Sequence, residues 1–166
     1  MPEELIKCPC CEKMVPASSI ELTFIKPDDI AAMDAKDIEE KCRYNDDIFI
    51  YENESFFVRC ILPLPVHDKA ENYCLGVWAK VSENSFQHIY DLWDEEDQTN
   101  EKPIEGLLAN NVPLTTGSIN AKIMVQLIGA KSRPEVTVTD QDCSLYKEQT
   151  CGITIHRENE YSDLCR

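Results

Sequence analysis

Basic residues are scarce in this chain. Lys and Arg number 16 against 31 Asp and Glu, for a formal charge of −15. A protein so charged lacks the cationic surplus that displaces counterions from nucleic acid, and an anionic membrane surface repels it. Neither is expected as a partner. No apolar run approaches the roughly 18 residues that a membrane helix needs. The opening MPEELIKCPCC has no basic stretch followed by an apolar core, so it does not read as a secretory signal, and the expected location is the cytoplasm. G-x-S-x-G, H-E-x-x-H, G-x-G-x-x-G and Walker patterns are all missing. The three histidines, His67, His88 and His156, are scattered, and nothing pairs a nucleophile with a base. A non-enzymatic protein is the simpler expectation.

The acidic surplus is present in quantity. It serves solubility, and it can also steer the protein toward a basic protein partner at long range, as an immunity protein covers a toxin. Cysteine is the other abundant residue, with nine copies. Their odd number, irregular spacing and lack of an export signal argue against a disulfide framework. Cys42, Cys60, Cys74 and Cys165 read as small buried apolar residues. Cys8 and Cys11 form a C-x-x-C, a spacing that lets two thiolates point at one tetrahedral ion from a tight turn. That is half of a structural zinc site; a redox dithiol and a pair of inert thiols are the other readings. Cys143, Cys151 or His156 can complete such a site if the chain ends meet.

The 166 residues are most simply one domain, 1–166: a Cys-rich segment over 1–25, a core over 26–139 and a helical tail over 140–166. The periodicities predict a helix over 27–43 and strands over 47–51, 55–65 and 73–81. A second helix follows, capped by Ser82, with Phe86, Ile89, Tyr90 and Trp93 in one apolar stripe. Further β-prone pieces cover 103–111, 119–128 and 134–139. Two helical pieces broken at Gly152 complete the tail, with Thr154 capping the second. In the strand over 73–81, Tyr73, Leu75, Val77, Ala79 and Val81 share one face. Gly76 and Trp78 lie opposite, under a helix or second layer. The expected fold is α+β, an antiparallel sheet of about five or six strands with helices packed mainly on one face.

Phe56-Phe57-Val58-Arg59, Gly76-Val77-Trp78, Ser82-Glu83-Asn84, Phe86, Leu92-Trp93, Gly106, Asn110, Asn120, Lys122, Val125, Arg133-Pro134, Glu148-Gln149 and Gly152-Ile153 occur in an order and spacing that resemble a bacterial family catalogued as domain of unknown function 2199. The resemblance implies a small cytosolic protein without an established activity. It also implies an initial C-x-x-C, here Cys8 and Cys11, usually followed by Gly and then His, where this chain has Glu12 and Val15. The family's Asp-His-Pro-Leu after the last strand stands here as Asp142-Cys143-Ser144-Leu145. A His-to-Cys exchange keeps a zinc ligand, so the resemblance favours Cys8, Cys11 and Cys143 as the metal set, holding a structural zinc. The competing function is a metal- or thiol-dependent enzyme using the same three cysteines.

Overall fold

The longest strand, β5 (Ser55–Leu64), alternates strictly between two environments. Phe56, Val58, Cys60, Leu62 and Leu64 point into the main core, while Phe57 joins a smaller cluster on the other side. β6 (Tyr73–Val81) pairs with it antiparallel along its whole length, from Phe56↔Val81 to Leu64↔Tyr73. All five predicted inward residues of β6 lie in the main core. The computed structural model describes residues 3–98, 100–130 and 132–166.

β7 (Ile104–Leu108), β8 (Lys122–Gln126) and β9 (Glu135–Val138) continue the sheet antiparallel, and β9 then returns to β5. That last pairing is parallel, at Ile61↔Glu135, with the Ile61 N–H donating to the Pro134 carbonyl at 2.9 Å. Five strands thus close into a mixed barrel. β4 (Ile48–Tyr51) pairs with the first half of β5 on the edge that β9 takes further along, and β3 (Cys42–Tyr44) extends β4.

The expected open antiparallel sheet with helices mainly on one face is therefore wrong. Closure removes the wet face, because the inward side chains of all five strands meet each other inside. Two of the helices stand at opposite ends of the barrel. α3 (Glu83–Asp91) brings Phe86 to Phe56, with ring centroids 5.3 Å apart, at the Phe56/Val81 end. α5 (Ile155–Asp163) stacks Tyr161 on Tyr73, with centroids 5.7 Å apart, at the Leu64/Tyr73 end. α4 (Ser144–Cys151) adds Leu145 to the same core. Each fully buried Leu or Val contributes roughly 1.5–3 kcal/mol over its exposed state.

The helix predicted over 27–43 is also corrected. It divides into α1 (Asp28–Ala31) and α2 (Ala35–Lys41), because Asp34 turns out of the helix and accepts the Asp37 N–H at 2.8 Å. An Asp in extended conformation is a good N-cap, and here it starts a new helix in place of continuing the old one. Residues 42–44 become β3. Ser82 and Thr154 cap α3 and α5 as predicted, accepting from Ser85 N–H and Arg157 N–H, both at 3.1 Å. Gly152 breaks the tail at φ +82°.

Residues 22–24 lie along the edge of β6 that β7 does not reach. Phe24 N–H donates to the Gly76 carbonyl, and Gly76 N–H to the Leu22 carbonyl. A Cβ on Gly76 would come within 2.7 Å of Thr23, so only glycine admits this close approach. Trp78, fully buried, packs beneath Ile30 and Ile38 and donates its Nε1–H to the Phe24 carbonyl at 2.8 Å.

Asn110 ties these layers together. Its side chain has no exposure, accepts the Trp78 N–H at 2.8 Å, and donates to the Lys26 carbonyl and the Asp28 carboxylate, both at 3.0 Å. Asn110→Ala removes the partner of the Trp78 N–H and the Lys26 carbonyl, while Asp28 keeps the Asn111 N–H at 2.7 Å, and is expected to cost roughly 2–4 kcal/mol in urea unfolding. A loss below about 1 kcal/mol would mean that water replaces all three bonds.

Candidate metal centre

The chain opens with a hairpin: β1 (Leu5–Lys7) pairs with β2 (Met14–Pro16), Ile6 opposite Val15. The connecting loop is tight. Cys8 N–H donates to the Lys13 carbonyl at 2.8 Å, and Glu12 N–H to the Cys8 carbonyl at 2.9 Å. The loop closes because Glu12 adopts a left-handed conformation, φ +62°. This is the position where the resembled family usually has Gly, the residue that takes such a φ without strain.

The loop aims backbone N–H groups at sulfur. The Cys8 thiol, ordinarily at 9.0, is pulled down to about 7. The Cys11 N–H hydrogen bond is the main cause; burial opposes it, and the Cys10 N–H and the His156 and Cys11 side chains add to the lowering. The other cysteine thiols with a resolved shift, Cys42, Cys60, Cys74 and Cys143, are all pushed up, chiefly by burial.

His156 reaches this loop from the other end of the chain. It stands in the first turn of α5, just past the Thr154 cap. Its Nδ1 lies 3.5 Å from Cys8 Sγ. Ligand atoms of Cys8, Cys11 and His156 all fall within 4.8 Å of one another, so the three can hold a metal ion. A tetrahedral ion with Zn–S near 2.3 Å and Zn–N near 2.0–2.1 Å would hold sulfur and nitrogen about 3.5 Å apart. On the far side of the ring, Nε2 is 4.0 Å from the Glu160 carboxylate, one turn along α5. That separation is too long for a hydrogen bond, and the same carboxylate oxygen lies closer to Arg157 Nη1, at 3.6 Å. The loop is pinned beyond the cluster as well, because Ile20 N–H donates to Ser162 Oγ at 3.1 Å and Arg166 Nη2 to the Ser18 carbonyl at 3.2 Å.

The structure thus brings Cys8 and Cys11 together with His156, which the sequence offered as one of three completions. Cys143 is not in the group. It is the N-cap residue of α4, is 1% exposed and forms part of the barrel core. Cys151 is exposed, and its carbonyl accepts from His67 Nε2 at 2.8 Å. Cys10 is exposed, and Val15, at the family's His position, is buried. His88 pairs with Glu101 at 2.8 Å. Sequence spacing carried no signal for His156, since 148 residues separate it from Cys8.

A barrel closed by end helices, with a Cys/Cys/His cluster where the first hairpin meets the last helix, describes the class of molecule. The chain belongs to the family described as an uncharacterized protein conserved in bacteria (DUF2199), whose model matches residues 7–153. His156 lies just beyond the matched residues. No curated protein and no solved structure matches the chain. Among the described residues, no helix is long and apolar enough to cross a membrane.

Glu12→Gly relieves the left-handed strain at the loop and loses only the exposed Lys7–Glu12 pair at 3.6 Å. It is expected to stabilise the protein by about 0.5–1 kcal/mol in chemical denaturation. A destabilisation would show that the Glu12 side chain has a role beyond the turn.

Proposed function

We propose that the protein is a non-enzymatic binding module, clasped by a structural zinc at Cys8, Cys11 and His156, that covers a basic protein partner. The 3.5 Å Sγ–Nδ1 separation carries the metal part of this reading. Two thiolates and an imidazole suit zinc over hard cations, which prefer oxygen. The three donors leave one tetrahedral position for water. An open position also suits a catalytic zinc, but the carboxylate at the cluster, Glu160, stands behind His156, and Cys8 is fully buried. The partner reading rests on the −15 charge, which favours encounter with a basic surface.

Elemental analysis of protein purified without chelator should find one zinc per chain. Cys8→Ser and His156→Ala should each lose it. Cys143→Ser should keep it while unfolding more easily, by about 1–2 kcal/mol, because a hydroxyl replaces a thiol inside the core. Zinc lost from the Cys143 variant but kept in the His156 variant would overturn the assigned ligand set. For the partner, immobilised protein should retain cationic host proteins at low salt and release them as salt rises. Salt-insensitive retention, or none, counts against a basic partner.

A further inference from the structure

We infer that the cleft between α3 and the β3–β4 loop is the docking surface for that basic partner, and that it takes a cationic amphipathic segment, one apolar side chain in the cleft and Lys or Arg against the carboxylates beside it. The inference rests on the basic-partner reading above and gives it a location.

The cleft is floored by Phe86 and Ile89 and walled by Ile48, Tyr90 and Trp93. Its volume is about 50 Å³. That is far below the 300 Å³ or more of a typical small-molecule pocket, and it suits the end of one inserted side chain. Tyr90 is 60% exposed although its ring stacks on Phe86, with centroids 6.3 Å apart. Trp93 is half-buried against the barrel core. An exposed Tyr beside a half-exposed Trp at the mouth of an apolar cleft is the composition of an interface anchor, since these residues dominate binding energy where they become desolvated.

The surroundings supply the charge. Asp46 flanks the cleft on the loop side, and Asp91, Asp94, Glu95 and Glu96 follow on the helix side, all exposed. Among the described residues the four helix-side carboxylates have no cationic partner, Asp91 accepting only from Gln87 at 2.8 Å, whereas Asp46 lies beside Arg59, whose Nη1 donates to the Asp46 carbonyl at 3.2 Å. Asp47, in the wall, is already paired with Arg133 at 3.3 Å. The helix-side carboxylates gather at the C-terminal end of α3, where the helix dipole is also negative. The arrangement is locally unfavourable in the free protein, and a bound Lys or Arg relieves it. Apolar cleft, aromatic rim and uncompensated negative charge together specify a segment carrying both an apolar side chain and positive charge.

The test uses the full chain and three short synthetic peptides: alternating Lys/Leu, Lys/Ser at equal charge, and Leu/Ser without charge. Trp93 fluorescence gives a local reading, because the only other tryptophan, Trp78, is fully buried. Amide shifts of ¹⁵N-labelled protein locate the contact. The Lys/Leu peptide should bind at low salt, shift Asn45–Ile48 and Phe86–Trp93, and lose roughly tenfold in affinity with Tyr90→Ala. Asp94→Asn combined with Glu95→Gln should flatten the salt dependence. All three residues are exposed, so circular dichroism and zinc content should be unchanged in these variants. Equal binding of Lys/Ser, shifts elsewhere, or no effect of Tyr90→Ala overturns the cleft and leaves the basic-partner reading standing. Equal binding of Leu/Ser overturns the cationic character of the segment. Failure of both cationic peptides at low salt overturns the cleft and the basic-partner reading together.

Discussion

The backbone contact between Ile61 and the Pro134–Glu135 segment sets the arrangement of everything around it. One edge of β5 is divided: β4 occupies the first half, and β9 arrives at Ile61. Had β4 continued along β5, the strands after β6 would have spread into an open sheet with an outer face to cover. Because β9 takes the second half, the sheet must coil until its last strand meets its third. The inward residues then share a single interior, α3 and α5 are left with the two ends, and α1 and α2 cover the outward Phe57 and Trp78. Pro63 fits this division. It lies just past the β9 contact, has no N–H to offer, and its carbonyl is met by Gln149 Nε2 from α4 at 3.2 Å.

Most individual elements were legible in the sequence, and closure was not. The alternation over 55–65 and 73–81, the Ser82 and Thr154 caps and the break at Gly152 are local signals, and each reports a local fact. An inward-facing Val looks the same in an open sheet and a closed barrel, so periodicity cannot choose between them. The single pairing that decides joins residues far apart in sequence. The short helices fail for a related reason: Asp34 inside a helical stretch reads as one more exposed carboxylate, unless its capping of Asp37 N–H is recognised.

The Cys8/Cys11/His156 group shows the same limit. The C-x-x-C states itself, because both thiols sit in one turn. The third donor depends on where α5 lands after the barrel has closed. The family's pattern drew attention to Cys143, a position that here serves the core, whereas the imidazole that meets the two cysteines comes from a helix beyond the family match. Asn110 is a similar case. It belongs to the motif that identifies the family, yet its work of joining β6 to residues 26–28 is visible only in three dimensions.

The seam between the hairpin and α5 also sets where mechanical load would pass. Cys8 faces His156, Ile20 holds Ser162, and Ser18 holds Arg166, so the segment from Cys8 to Ile20 is fastened directly to the last helix, and both are fastened to the barrel through Tyr73. A pull applied between the hairpin and α5 would be borne across this short seam, and the strands between them in sequence would feel little of it until the seam gives way.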